Sequence, residues 1–517
     1  MPVPKLLDIG ARRYPENICL VSDGFQSTYR ETQAATHKVA NALKAAGASP
    51  GEHVCVLSRN NPLAFIAMVG AMRAGLPYVV LNIRDAVEDI VEGVIDRDVR
   101  WLFFHSEFAE AAEALKSRAP SMKGMFCVDT DVLDCPSLEE FSAGFPDHGG
   151  DTPTSPEDVF VLASSGGTTG KPKGAMLSYR TMNMVIAAGL LMFRHKSTPV
   201  HLAVAPITHA AAGIVYPLLP QGGKHILLPK ADPGEILRTI EREKVTTIFL
   251  PPTVIYMLLA HPDIEEYDYS SLEYMIYAAS PMAPAKLKQA LSVFGPVMLQ
   301  FYGQAEAPPM LTAMTPEEHV EAVATGRLER LASCGRSMPY AEIAIMDDNG
   351  VLLGDGERGE IVARGDLVMS GYYNNPEATE ATRAHGWHHT GDVGYRDSEG
   401  FYYIVDRKRD MIISGGFNIY PSEVENAIMK HTDIQDCAVV GAPDEKWGES
   451  VTAVVECKPG AKVAPEDLII FCKDQLGGMK APKKVEVWES LPRSSVGKVL
   501  KREIRARFWE GQERLVR

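Results

Sequence analysis

From residue 1 to about 300, short apolar runs rich in β-branched and aromatic residues alternate with stretches whose apolar positions repeat at a helical period. The runs at 54–57, 78–81, 101–104, 159–163, 225–228, 247–250 and 274–278 predict strands, and 32–46, 63–74 and 236–243 predict helices. Such alternation predicts α/β layers with largely parallel sheets. After Gln300 the texture changes, and the runs at 341–346, 360–364 and 401–405 are separated by Gly- and Asp-rich turns. A third region begins near Asp406 and reads helix (422–429), strand (437–440), strand (451–457), helix (465–475), strand and helix (499–508). The pattern thus predicts a large N-terminal domain over 1–405, layered α/β to about residue 300 and β-rich over 301–405. A compact α+β domain over 411–517 follows a short connection at 406–410.

Composition narrows the classes without choosing among them. At 517 residues the chain suffices for about three or four folding units. Its 45% hydrophobic and 23% charged content excludes disorder or low complexity as the dominant state. Lys plus Arg number 52 against 67 Asp plus Glu, a net charge of −15 that gives no global reason to bind nucleic acid. The eight cysteines form no CxxC pair and are too sparse for a disulfide scaffold. No secretory signal, transmembrane stretch or C-terminal peroxisomal address is visible, so a cytoplasmic setting is expected. Residues 480–517 run against the overall charge, with eleven Lys or Arg and five Asp or Glu; alone they read as a solvated basic helix.

The most informative segment is Ser164-Ser165-Gly166-Gly167-Thr168-Thr169-Gly170-Lys171-Pro172-Lys173-Gly174, which leaves the predicted strand 159–163. Its glycines let backbone N–H groups turn toward an anion, its hydroxyls add donors, and its lysines add positive charge. That chemistry suits a polyphosphate. It is not a Walker A loop, because only three residues separate Gly166 from Gly170 and Pro172 follows Lys171.

The segment resembles the phosphate-binding signature of the adenylate-forming superfamily, which includes acyl-CoA synthetases, aryl-CoA ligases, luciferases and peptide-synthetase adenylation domains. Further segments occur in that family's order: Tyr302-Gly303-Gln304-Ala305-Glu306, His389-Thr390-Gly391-Asp392, Asp406-Arg407-Lys408-Arg409-Asp410 through Gly415-Gly416, and Pro492-Arg493-Ser494-Ser495-Val496-Gly497-Lys498. The resemblance implies a mobile C-terminal lid domain pivoting at Arg409. It makes Ser164 to Lys171 and Lys173 the phosphate contacts, Thr168 among the catalytic residues, and Ala279, Ser280, Pro281, Tyr302, Gly303 and Gln304 the adenine surroundings. An aromatic face at Tyr302 can stack on a base, and Glu306 is a hard oxygen ligand suited to Mg²⁺. The resemblance also implies that Asp392 accepts from the ribose hydroxyls with Arg407 beside it. An isolated Thr-Gly-Asp otherwise reads as an Asx turn, here between Trp387 and Tyr395.

Lys498, just after Gly497, is expected to stabilise charge on the carboxylate and α-phosphate oxygens. By resemblance His209 gates the acid pocket, although a lone His in an apolar run also reads as a core residue. Tyr216, Tyr277, Ala278 and Met310 are expected to line that pocket. His385, His388 and His389 read as a surface loop rather than a metal cluster. Where the family usually has Thr, this chain has Ala305, which cannot donate to the α-phosphate; Gln304 or the backbone is left to serve.

The implied activity uses ATP and Mg²⁺ to turn a carboxylic acid into acyl-AMP, then coenzyme A to form a thioester, with the basic tail and Gly415-Gly416 on the CoA side. Transfer to a carrier protein, release or oxidation of the acyl-AMP, and a nucleotide sensor without turnover are the alternatives. The lack of a carrier segment after Arg517 favours CoA. The identity of the acid and the oligomeric state stay open.

Overall fold

The computed structural model describes residues 3–165, 172–209, 211–493 and 499–510. Two compact units share the chain. One comprises Met1–Ile343, Ala363–His388 and Gly400–Tyr402; the other comprises Ala344–Val362, His389–Glu399 and Tyr403–Arg517. The β-rich stretch expected over 301–405 is therefore divided between them. Among the described residues, no helix is long and apolar enough to cross a membrane.

The first unit holds two large sheets. In the nine-stranded one, Met298–Gln304, Tyr274–Tyr277, Thr247–Phe249, Val200–Ala203, Lys224–Leu227 and Ile18–Ser22 lie side by side and parallel. Antiparallel strands close both edges, Ala307–Met314 and Arg336–Ser337 on one and Phe25–Thr28 on the other. The seven-stranded sheet runs Gly371–Tyr372, Gly174–Ser178, Val159–Ser164, Tyr78–Val79, His53–Leu57, Val99–Phe104, Gly124–Cys127, with its last five strands parallel. This is the layered, largely parallel architecture that the hydrophobic pattern predicts.

Helix Pro62–Arg73 packs against Ile18–Ser22 of the first sheet and His53–Leu57, Tyr78–Val79 and Val99–Phe104 of the second. All of its residues except Leu63 are buried, so its apolar stretch has no polar face. Asn61 caps it, accepting from Leu63 N, and Pro62 occupies the first turn, where its missing N–H costs nothing. At its far end the fully buried Arg73 pairs with both Asp8 and Asp151. Burial alone raises the Asp8 carboxyl pKa, but hydrogen bonds from Arg73 and Gln33 and the Arg73 charge bring it below the ordinary value.

Local signals explain where elements depart from the pattern. The helix expected from 32 begins at Tyr29, because Thr28 and Glu31 form a reciprocal capping box. The strand expected over 247–250 stops at Phe249, and Pro252 opens a helix at once. The second unit holds most of a four-stranded sheet, Glu342–Met346, Gly359–Arg364, His388–Arg396 and Tyr402–Arg407. It also holds a five-stranded sheet in which Ile434–Asp444 and Lys484–Val487 flank Gly448–Cys457, with the hairpin Ile412–Ser414/Phe417–Ile419 beside them. Val424, Ile428, Val439, Val451, Val455 and Leu468 form its core with helices Pro421–Ile428 and Pro465–Lys480.

One polar feature lies inside the first sheet. His201 and His225 are register partners, wholly buried, with their Nδ1 atoms 3.3 Å apart. Burial, then the charges of His225 and His195, hold His201 well below the ordinary imidazole pKa, and burial pushes His225 down to about 3. Both rings are neutral in the folded state near pH 7, while in the unfolded chain they take up protons below about pH 6.5. Stability therefore falls as pH drops from about 6.5, by about 1 kcal/mol per pH unit for each ring. Denaturant unfolding at pH 7.5, 6.0 and 5.0 is expected to show a midpoint that falls steadily. A midpoint unchanged down to pH 5 would contradict the neutral buried pair.

Candidate active site

Open parallel sheets place ligands beyond the carboxyl ends of their strands. In the first unit, strand Tyr274–Tyr277 ends opposite Gln300 and leads into Ala278–Pro281, while its neighbour Met298–Gln304 runs on past that point and leads into Ala305–Glu306. The second strand turns straight back as Ala307–Met314, with Gln304 opposite Ala307. Gly303 makes that turn possible: a Cβ there would lie 2.7 Å from Ala307 O and from the Pro308 backbone. Two non-glycine residues nearby take left-handed backbone angles, Ala279 at φ 72° and Met310 at φ 128°. Strain of this kind persists only where the surrounding structure over-determines it.

The tight turn delivers Glu306 to Tyr372. The Tyr372 hydroxyl donates to Glu306 Oε1 at 2.7 Å, and Met369 N donates to the Glu306 carbonyl at 2.8 Å. Burial first, and then the Glu306 charge, push the phenol pKa up, so it stays a donor. The other face of the connection is Lys173, whose Nζ lies 5.1 Å from the Tyr372 ring centroid. Strand Gly371–Tyr372 pairs with Gly174–Ser178, immediately after Lys173. Glu306 and Lys173, far apart in sequence, are thus joined through one aromatic side chain. Nothing in the spacing of charged or glycine residues marks Tyr372.

At the root of the phosphate-type segment, Ser164 Oγ donates to Val80 O at 2.6 Å and Ser165 N to Lys173 O at 2.9 Å. Gly166, Gly167, Thr168, Thr169, Gly170 and Lys171 lie outside the described residues, as does Lys498. The Tyr302 ring is largely buried, opposite Thr312 in the hairpin register. Ala279 and Pro281 are exposed and Ser280 is half-buried. Gln304 Nε2 lies 3.0 Å from His388 Nε2, so that amide N–H is engaged by the imidazole.

The expected acid-pocket residues divide into two kinds. Ala278 and Met310 share one apolar cluster with Ala188, Ile214 and Phe301. Tyr216 lies on helix Ala212–Leu218, fully buried, its ring edge-on to Phe160 at 6.3 Å. Tyr277 is different, because its hydroxyl sits 3.1 Å from Gln300 Oε1 and 2.8 Å from His319 Nε2. His319 Nδ1 lies 2.7 Å from Thr315 O, which fixes its proton there and makes Nε2 the acceptor of the Tyr277 proton. That hydroxyl is satisfied within the core. His209 Nδ1 is 3.0 Å from Thr208 Oγ1, and burial, then the Arg84 charge, push its pKa down to about 4. It is a neutral imidazole near pH 7.

In the second unit, Asp392 lies within strand His388–Arg396 rather than in the turn expected between Trp387 and Tyr395. Its buried carboxylate accepts from Arg407 Nε at 2.8 Å. Thr390 Oγ1 braces the segment, donating to Ile361 O and accepting from Asp392 N. Glu360, which the motifs do not mark, gathers His389 Nδ1, Gly391 N and Lys408 Nζ, each within about 3 Å. Burial raises its pKa, but His389 and Lys408 outweigh that and leave it lowered. The surface loop expected at His385–His389 is therefore corrected, since His388 is buried and His389 is paired with a carboxylate. Arg409 lies in the helical turn Lys408–Asp410, its Nε 3.9 Å from Asp410 Oδ1. Gly415 and Gly416 form a hairpin tip at φ 58° and 82°, and a Cβ on Gly415 would sit 2.6 Å from the Trp447 ring.

Comparison with known proteins gives this arrangement a family. Residues 7–373 match the AMP-binding enzyme family, and residues 423–498 match the AMP-binding enzyme C-terminal domain. A medium/long-chain-fatty-acid–CoA ligase of Mycobacterium tuberculosis is 37% identical over 491 residues, 92% of this chain and 84% of that protein. A feruloyl-CoA synthase of an Amycolatopsis species is 35% identical over 500 residues, 96% of this chain and 97% of that protein. Among solved structures, an amide bond synthetase of Marinactinospora thermotolerans superposes with a TM-score of 0.87 at 30% identity, covering 98% of this chain and 100% of that one. The chain belongs to the AMP-binding, adenylate-forming enzymes.

The Tyr372 connection has a direct consequence. Tyr372→Phe keeps the ring beneath Lys173 but removes the hydrogen bond to Glu306. Losing one hydrogen bond to a charged group is expected to slow adenylation about tenfold or more, with the thermal midpoint little changed. ATP–pyrophosphate exchange measures this; an unchanged rate would show that Glu306 needs no such support.

Proposed function

We propose that this chain is an ATP-dependent carboxylate–CoA ligase. It activates an organic acid as acyl-AMP with release of pyrophosphate, then transfers the acyl group to the thiol of coenzyme A. The reading is carried by the family match spanning both N- and C-terminal regions, together with similarity over almost the whole chain to two CoA-thioester-forming relatives. One of those relatives is named for an aliphatic acid and the other for an aromatic one. The substrate is accordingly assigned as a fatty, arylalkanoic or aromatic acid, in keeping with the apolar cluster around Ala278 and Met310.

A carboxylate resists nucleophiles because its negative charge and resonance make it a poor electrophile. In the first half-reaction a carboxylate oxygen bonds to the ATP α-phosphorus and the bond to the β,γ-pyrophosphate breaks. In the second, the CoA thiol adds to the acyl carbon, AMP leaves with the bonding pair, and the thiol proton passes to solvent. Such chemistry asks for positioning and charge stabilisation rather than a nucleophile–base pair. Lys498 is assigned to the developing charge on carboxylate and α-phosphate oxygens. Ser164 to Lys171 and Lys173 are assigned to the polyphosphate, with Thr168 among the catalytic donors. Ala279 to Pro281 and Tyr302 to Gln304 surround the adenine, and Asp392 with Arg407 takes the ribose.

His209, a neutral imidazole, is assigned to the entrance of the acid pocket, where a cation would otherwise trap the carboxylate. Glu306 fits Mg²⁺, since one protein carboxylate completed by substrate phosphates is an ordinary way to hold this ion. Bound there, Mg²⁺ would neutralise phosphate charge. The turn at 406–410, with Arg409, is proposed as the hinge, and Gly415-Gly416 as the face for the CoA arm. All eight cysteines are unpaired, which supports a reducing, cytoplasmic setting.

A second reading is favoured by one observation, the likeness to an amide bond synthetase. In it, the same acyl-AMP passes to an acceptor other than CoA. Pyrophosphate release with Mg-ATP over aliphatic and aromatic acids, with and without CoA, separates the two. Sustained release only with CoA is expected. A burst indifferent to CoA would favour another acceptor, and silence across the panel would contradict the enzyme.

A further inference from the structure

One buried cation is left unexplained by the reaction described above. Arg97 caps the end of helix Val87–Asp96, and only 5% of its surface is exposed. Its guanidinium reaches in three directions. Nη1 donates to Gly93 O at 3.2 Å, and Nη2 donates both to Ser164 Oγ at 3.3 Å and to Pro172 O at 3.0 Å. Nε has no partner among the described residues. The Arg97 backbone is held as well, since His53 Nδ1 lies 2.6 Å from its carbonyl.

Ser164 and Pro172 stand at the two ends of the segment assigned to the ATP phosphates. Ser164 closes strand Val159–Ser164, and Pro172 precedes strand Gly174–Ser178; the two strands pair with Ser164 opposite Gly174. We propose that Arg97 is a positioning residue for ATP, a buried guanidinium that staples the two ends of the phosphate-binding segment together. The inference rests on reading 164–174 as that segment.

Two arguments favour this over a purely structural role. First, a buried charge normally has an opposite partner, because desolvation is costly. Among the described residues no carboxylate forms an ion pair with Arg97; burial lowers its pKa, and Cys55 and Asp96 oppose that only at longer range. A positive charge kept at the root of a polyanion site is offset when the polyanion binds. Secondly, a planar guanidinium presents donors from separate nitrogens in a rigid fork, here Nη1 to Gly93 and Nη2 to Ser164 and Pro172, whereas a lysine must donate from a single nitrogen. The staple sets the spacing of Ser164 and Pro172.

The test compares ATP affinity by calorimetry, without acid, in the full chain and in Arg97→Gln, Arg97→Lys, Ser164→Ala and the double variant Arg97→Gln/Ser164→Ala. Arg97→Gln is expected to weaken ATP about ten- to a hundredfold. The KM for acid and for CoA, and thioester formation from supplied acyl-AMP, should change less than twofold. Arg97→Lys restores the charge but not the fork, so it should recover only part of the loss. The double variant should lose less than the two single losses combined, because part of each is the one Arg97–Ser164 contact.

Equal ATP affinity in wild type and Arg97→Gln would overturn the proposal. So would full recovery by Arg97→Lys, or a parallel rise in all three KM values. Thermal midpoints identify a variant that fails to fold, and Arg97→Lys then carries the comparison. Absence of turnover by the wild-type protein would count against the ligase reading, whereas the calorimetric comparison would still decide the role of Arg97.

Discussion

The turn between Met298–Gln304 and Ala307–Met314 is the constraint on which the candidate site hangs. A Cβ on Gly303 would lie 2.7 Å from backbone atoms of Ala307 and Pro308, closer than a side chain tolerates, so the hairpin closes as it does with glycine there. That closure sends Glu306 off the carboxyl end of a parallel strand and into hydrogen-bonding range of Tyr372. Tyr372 in turn lies on a strand fixed by register to Gly174–Ser178, so the carboxylate and Lys173 share one support. Opening the turn would displace Glu306 relative to everything else in the first unit.

Electrostatics in this protein are local rather than global. The chain is strongly acidic overall, yet the segment assigned to an anionic substrate is lined at its root by Lys173 and Arg97. Screening limits what distant surface carboxylates can do at such a site, while groups removed from water keep their influence. The same principle separates the histidines. Burial leaves His209 and His319 neutral near pH 7, and His319 uses its two nitrogens to hold Thr315 and Tyr277 in a fixed pattern. In the second unit His389 meets a carboxylate instead, and Glu360 keeps its charge against the penalty of burial.

Much of this was legible from sequence, for identifiable reasons. Strands such as Val99–Phe104 and Val159–Ser164 are continuous apolar runs, and helices such as Pro62–Arg73 carry Asn and Pro start signals. Both are local properties, so pattern reading recovers them. Glu306, Asp392 and the glycines were marked because they sit in contiguous motifs. Tyr372, Glu360 and Arg97 were invisible because their importance arises from non-local contacts, with Glu306, His389 and Pro172 respectively. A tyrosine after a glycine, or an arginine after a helix, carries no local signature of such a partner. The reading of His385–His389 as a surface loop failed for a related cause: the strand His388–Arg396 buries His388 against neighbours remote in sequence. The partners of the Tyr277 hydroxyl lie 23 and 42 residues away, so no local pattern announces them.

The central claim is that the acid's own oxygen attacks the α-phosphorus of ATP. The direct measurement supplies a substrate acid labelled with ¹⁸O in both carboxylate oxygens, together with Mg-ATP and CoA, and locates the label by mass spectrometry. The account predicts one ¹⁸O in the phosphate of AMP, one in the acyl-CoA carbonyl, and none in pyrophosphate. Label in inorganic phosphate alongside ADP would mean that the acid attacks the γ-phosphorus, and would contradict it.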